Sequence, residues 1–112
     1  MLLLSKCHHL TVLPEEIGRL SNLCSFDLSQ TEITELPSST CSLTNLQTLL
    51  LSKCPRLTVL PEEIGQLSNL CYLDLSQTEI TQLEMFLNKF ADDVAVQVSS
   101  SHCVTRRDWT TQ

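Results

Sequence analysis

The sequence predicts an α/β repeat solenoid, with short parallel strands on a concave face and loops, 3₁₀ turns or short helices on a convex face. Three observations predict it. Residues 2–36 align without gaps on residues 49–83, an offset of 47, and 29 of the 35 pairs are identical. Leucines recur within each copy at spacings of three and two, as in Leu46, Leu49 and Leu51. A proline followed by two glutamates recurs at one point of the cycle, at Pro14-Glu15-Glu16 and Pro61-Glu62-Glu63. Self-similarity at a fixed period marks stacked units, each of which buries its apolar side only against its neighbours.

The period divides into a long and a short unit. Leu46-x-x-Leu49-x-Leu51-x-x-Cys54-x-x-Leu57 opens the long type. Leu23-x-x-Phe26-x-Leu28-x-x-Thr31-x-Ile33 and Leu70-x-x-Leu73-x-Leu75-x-x-Thr78-x-Ile80 open the short type. This is the leucine-rich-repeat signature, and its unit length falls within the roughly 20–29 residues of that class. About four repeats are expected, at about 1–22, 23–45, 46–69 and 70–93, followed by a degenerate strand at 94–98 that closes an array spanning 1–98.

Each element has a mechanical cause. The x-Leu-x segment is a short strand whose leucine points inward while its flanking side chains point out, by period-two alternation. Cys7, Thr31, Cys54 and Thr78 fall where the chain turns inward, and there a small side chain fills space or hydrogen-bonds the turn. Leu10 with Leu13, Ile33 with Leu36, Leu57 with Leu60, and Ile80 with Leu83 close the far side. Pro14, Pro37 and Pro61 start the convex arc, and the glutamate pairs suit the positive end of a short helix or 3₁₀ turn. Ile17 with Leu20 and Ile64 with Leu67 supply its buried face.

The pattern breaks in three places. Repeat two carries Thr40 and Cys41 where its sisters have Ile17-Gly18 and Ile64-Gly65, which predicts a locally weaker convex side. In repeat four Glu84 replaces the proline, while Leu87 and Phe90 keep the apolar positions, so a more ordinary helix is expected from Glu84 to Phe90. Beyond Phe90, Val94-Ala-Val-Gln-Val98 alternates and is β-branched, which suits a fifth strand with Val96 and Val98 in the columns of Leu73 and Leu75. Residues 99–112 show no period and are expected to be a disordered tail. The chain opens in the middle of a rung, which suggests a fragment of a longer receptor or a truncated gene product.

Composition narrows the function. The 112 residues carry a formal net charge of −6, with 18% charged, 42% hydrophobic and 4% aromatic residues, so the core is aliphatic. Such a charge disfavours nucleic acid and anionic membrane surfaces, whose phosphates require clustered Lys and Arg. The opening apolar run is too short for a signal peptide, and no stretch approaches the ~18 apolar residues of a membrane span. A cytoplasmic, intracellular location is therefore expected. Cys7, Cys24, Cys54 and Cys71 follow the repeat and are read as buried, reduced thiols that act as small hydrophobes. Cys7-His8-His9 and His102-Cys103 contain zinc-ligand types. At about 4.8 Å per strand, however, they lie roughly 19 Å apart, too far to share a metal. No phosphate loop, nucleophile elbow or H-E-x-x-H motif occurs, so no catalytic, cofactor or metal residues are assigned and no enzymatic activity is expected.

The concave surface remains. Its outward positions are Leu3 and Ser5; Ser25, Asp27 and Ser29; Thr48, Leu50 and Ser52; and Tyr72, Asp74 and Ser76. Of these, Leu3, Ser25, Asp27, Thr48, Leu50, Tyr72 and Asp74 are the candidate partner-binding residues. Apolar and acidic rungs alternate along them, and Tyr72 is the best anchor, because aromatic side chains with a polar tip dominate binding hot spots.

The alternation of Leu-x-Leu-Ser-Lys-Cys-x-x-Leu-Thr-x-Leu-Pro-x-x-Ile-Gly with Leu-Asp-Leu-Ser-x-Thr-x-Ile-Thr-x-Leu-Pro resembles a particular family. It is similar to the repeat region of plant intracellular nucleotide-binding leucine-rich-repeat disease-resistance proteins. Leu46-Gln-Thr-Leu-Leu-Leu-Ser-Lys-Cys54 and the paired Cys and Thr turn positions carry the likeness. The resemblance implies protein–protein recognition in defence, with a pathogen effector, a guarded host protein or a switch domain as the partner. None of the switch domain's motifs is present, so nucleotide binding is not implied. The alternative is an intracellular scaffold leucine-rich-repeat protein of the Ras-binding type, which shares Leu-Pro-Glu-Glu-Ile-Gly-x-Leu-x-Asn-Leu. Such proteins usually place Asn where this chain has Cys7, Thr31, Cys54 and Thr78.

Overall fold

The computed structural model describes residues 1–80, 90, 94–99 and 102–104, the last four of these (99 and 102–104) by backbone alone. Strands β1 (Leu2–Leu3), β2 (Ser25–Asp27), β3 (Thr48–Leu50), β4 (Tyr72–Asp74), β5 (Ala95–Ser99) and β6 (His102–Val104) form one sheet in chain order. The first five are parallel, as the stacking of identical units requires, and β6 returns antiparallel to β5. The chain is a small leucine-rich-repeat solenoid.

Register follows the sequence period. Leu2 pairs with Phe26, Phe26 with Leu49, Leu49 with Leu73, and Leu73 with Val96. Phe26, Leu49, Leu73 and Val96 are fully buried, and Leu28, Leu51 and Leu75 form a second inward column two residues on. At roughly 1.5–3 kcal/mol per buried aliphatic side chain, these columns dominate the stability of the stack.

Each rung then turns through a left-handed residue: Lys6, Gln30, Lys53 and Gln77 have φ of 64°, 61°, 58° and 58°. A non-glycine residue there costs about 1–2 kcal/mol. The ladder offsets that cost, because the N–H groups of Lys6, Gln30 and Lys53 donate to Ser29 O, Ser52 O and Ser76 O of the next rung, each at 2.9 Å. The small turn residue acts as expected. Thr31 Oγ1 donates to Leu28 O and Thr78 Oγ1 to Leu75 O, both at 2.8 Å, while Cys54 Sγ reaches Leu28 O of the preceding rung at 3.2 Å.

Among the described residues the convex side carries three 3₁₀ helices, η1 (Glu15–Arg19), η2 (Ser38–Ser42) and η3 (Glu62–Gln66), each entered through a proline in extended conformation. The fixed proline φ suits that entry, and the missing N–H is one the first turn leaves unused. Ile17, Thr40 and Ile64 are the inward residues. A Cβ on Gly18 would lie 2.6 Å from Ser39 O, so η1 and η2 stack closely because Gly18 has no side chain. Cys41 occupies the equivalent place in η2 and is itself buried.

A second ladder runs where the convex arc re-enters the sheet. Asn45 Nδ2 donates to Ser21 O and Asn69 Nδ2 to Thr44 O, each at 2.8 Å. These amides tie each rung to the one before, and the repeated Leu-Ser/Thr-Asn-Leu at 20–23, 43–46 and 67–70 was the signal for them.

Three expectations are corrected. Cys7, Cys24 and Cys71 are exposed, and only Cys41 and Cys54 are buried among the described thiols. Cys24 and Cys71 precede the first strand residue, beside the inward Leu23 and Leu70, and therefore face out. Cys54 is covered by Leu28 and Thr31 of the rung before it, whereas Cys7 lies in the first rung and lacks that neighbour. The tail does not begin at residue 99: β5 continues through Ser99, and β6 pairs with it at Val96↔Val104 and Gln97↔Cys103. Ser76, expected to face the partner, is buried, with its hydroxyl donating to Asp74 Oδ1 at 2.7 Å. The helix expected from Glu84 to Phe90 lies outside the described residues except for Phe90, which is buried in the core. Residues 105–112 also lie outside them.

Candidate functional site

The strand register assembles the concave face. Leu3 pairs with Asp27, Asp27 with Leu50, and Leu50 with Asp74, so the central column alternates apolar and acidic rungs. Ser25, Thr48 and Tyr72 form the column on one side. Ser29 and Ser52 lie on the other, with Ser52 Oγ donating to Ser29 Oγ at 3.1 Å. Leu3 is 62% exposed, whereas Ser25, Asp27, Thr48, Leu50, Tyr72 and Asp74 are half-buried between neighbouring rungs. All seven candidate residues thus share one face.

The two aspartates serve the fold as well as the surface. Asp27 Oδ1 accepts the Ser29 N–H at 2.9 Å, and Asp74 Oδ1 accepts the Ser76 N–H at 3.0 Å and the Ser76 hydroxyl at 2.7 Å. Each carboxylate therefore tethers the start of its left-handed turn through one oxygen. Neither forms an ion pair among the described residues. The Asp-Leu-Ser sequence carried this signal, since short acidic side chains bond the backbone two residues on.

The concave face continues over the turns into an open groove of about 370 Å³, lined by His8, Gln30, Thr31, Glu32, Lys53, Pro55 and Gln77. Sequence reasoning missed this edge. Its signal was the left-handed column Lys6, Gln30, Lys53 and Gln77, which follows the repeat. Arg56 Nε meets Glu32 Oε2 at 3.0 Å across it, an exposed pair that contributes little to stability. A second depression, about 470 Å³, sits on the outer side of the first rung against Met1, Leu2, Arg19 and Leu20.

Among the described residues no three His, Cys, Asp or Glu side chains gather closely enough to hold a metal ion. The side chains of His102 and Cys103 lie outside the described residues. No helix among those residues is long and apolar enough to cross a membrane.

Known proteins carry the same architecture. The family model for Zer-1-like leucine-rich repeats matches residues 14–91. A leucine-rich-repeat protein of Leptospira interrogans superposes with a TM-score of 0.67 at 36% identity, over 74% of this chain and 22% of that protein. The leucine-rich-repeat domain of the type III effector XopL superposes with a TM-score of 0.57 at 19% identity, over 82% of this chain and 40% of that domain. The chain thus spans about a fifth and two fifths of these neighbours. No curated protein matches the sequence.

Proposed function

Because the chain belongs to the Zer-1-like leucine-rich-repeat family, we propose that it is a protein-recognition module that meets its partner on the concave sheet. Repeats of this class generally bind proteins and are typically not enzymes. One observation carries the assignment to this face: the register brings Leu3, Asp27, Leu50 and Asp74 into a single column, with Tyr72 beside its last rung. The convex side, by contrast, presents short 3₁₀ turns edged by Glu15, Glu16, Glu62 and Glu63.

A photo-cross-linking residue placed at Leu50 or at Glu63 tests the reading in extracts of the source organism. A discrete adduct from position 50 and none from position 63 is the expected result; the reverse pattern moves the site to the convex side. With a partner in hand, the double variant Leu50→Ala/Tyr72→Ala should weaken binding at least tenfold while thermal melting still shows a folded array.

The finer proposal is that this recognition serves defence, within a plant disease-resistance receptor. It rests on Leu46–Cys54 and on the alternation of Cys54 with Thr31 and Thr78 at the turn. A phosphate-loop domain encoded upstream in the same reading frame is the expected finding. Continued repeats with Asn at the turn would instead favour a signalling scaffold of the Ras-binding type.

A further inference from the structure

We infer that the concave face takes one particular kind of partner segment, a basic amphipathic α-helix laid along the solenoid axis. This rests on the concave-face reading above and deepens it. The duplication offset of 47 residues makes like rungs recur every second strand, so Leu3 and Leu50 share one chemistry and Asp27 and Asp74 the other. At about 4.8 Å between strands, the column presents apolar, acidic, apolar and acidic positions over roughly 14 Å.

Backbone geometry decides which partner can meet every rung. A helix offers one side chain per turn on a given face, about 5.4 Å apart, so three steps cover about 16 Å. The mismatch with the column is about 2 Å, within the reach of Lys and Arg stems. An extended strand offers same-face side chains about 6.7 Å apart, so three steps overrun the column by more than one rung. A polyproline helix repeats about every 9.3 Å, and so meets either the leucines or the aspartates but not both. The width also fits: strands β2, β3 and β4 are three residues each, about 10 Å, close to the diameter of a helix. Ser25 and Thr48 on one side and Ser29 and Ser52 on the other are small, which leaves the central column accessible over its second and third rungs, while Tyr72 flanks the last.

Charge fixes the sign of the partner. Hydrogen bonding from Ser29 and Ser76 engages only Oδ1 of Asp27 and Asp74, and neither carboxylate has an ion-pair partner among the described residues. Among the described residues no donor meets the second oxygen of either, so each can take a Lys or Arg. The fitting helix carries apolar residues at i and i+7 and basic residues at i+4 and i+11, one for each rung. Electrostatic matching of this kind sets register and suppresses wrong partners.

The test uses the full chain and synthetic peptides of about 18 residues, long enough to hold a helix when rich in alanine. One fluorescein-labelled peptide carries Leu at i and i+7 and Arg at i+4 and i+11. A second has the same composition with the Leu and Arg on opposite faces, and a third carries a central proline. Fluorescence anisotropy should show the phased peptide binding at least tenfold more tightly than either control. The double variant Asp27→Asn/Asp74→Asn, which keeps an acceptor for each serine N–H, should lose about tenfold and flatten the salt dependence. Equal binding of the three peptides, no saturable binding of the phased one, or indifference to the aspartate variant overturns the inference. If cross-linking from position 50 succeeds while the peptides fail to discriminate, only the helical partner falls. If cross-linking maps to position 63, the concave reading falls with it.

Discussion

Thr40 and Cys41 show how one rung departs from its sisters at single residues. Thr40 is fully buried, and its hydroxyl finds no hydrogen-bond partner among the described residues. An unmet buried hydroxyl costs about 1–3 kcal/mol. Thr40→Val, which keeps the shape and removes the polar atom, should therefore raise stability by about 1 kcal/mol, seen as a higher urea midpoint at unchanged slope. Burial, and secondarily the Glu63 carboxylate, push the Cys41 thiol up to about 11. The fold therefore favours the protonated form. That contribution is complete below the unfolded thiol's value near 9 and is lost as pH rises through about 11. Melting temperature should fall over that alkaline window, and less so in Cys41→Ala relative to its own value at neutral pH. At pH 7 a maleimide reagent should label Cys7, Cys24 and Cys71 rapidly and should reach Cys41 and Cys54 only on unfolding, read by peptide mass mapping.

At the scale of elements, rungs are held together by side chains as well as by strands. The asparagine ladder crosses from Asn45 to Ser21 and from Asn69 to Thr44 on the side opposite the left-handed turns. Each strand is only two to five residues long, so few ladder bonds fix the spacing there. Asn69→Ala should cost about 1 kcal/mol in chemical denaturation, and Asn45→Ala a similar amount, with the two coupled because Asn69 bonds the carbonyl of Thr44, which precedes Asn45. A cost near zero for both would mean that strand pairing alone sets the stack.

For the molecule as a whole, stability is a sum over neighbouring rungs, since no rung buries its own leucines. Leu51 is fully buried between the second and fourth rungs. Leu51→Asp places an unpaired charge there and should abolish the cooperative melt and the native far-UV circular dichroism. Glu63→Lys, on the exposed convex edge, should shift stability by no more than about 0.5 kcal/mol. A folded Leu51→Asp protein would contradict the dominance of the inward columns.

The 47-residue duplication and the leucine spacing by themselves determined the rung order, the inward columns from Phe26 to Val96, the proline entry to the first three convex arcs and the shared face of Leu3, Asp27, Leu50 and Asp74. All of these follow from local periodicity, because the alternation of a strand and the fixed φ of proline act within a few residues. The choice of 3₁₀ turn over short helix came from the structure. The tertiary structure alone decided the matters that depend on what one rung meets in the next. It exposed Cys7 while covering Cys54, and it left the Thr40 hydroxyl without a partner among the described residues. It also returned His102–Val104 antiparallel onto β5. The covering of Cys54 and the exposure of Cys7 rest on stacking register and on contacts between residues about two dozen positions apart, and the spacing within one repeat does not encode them.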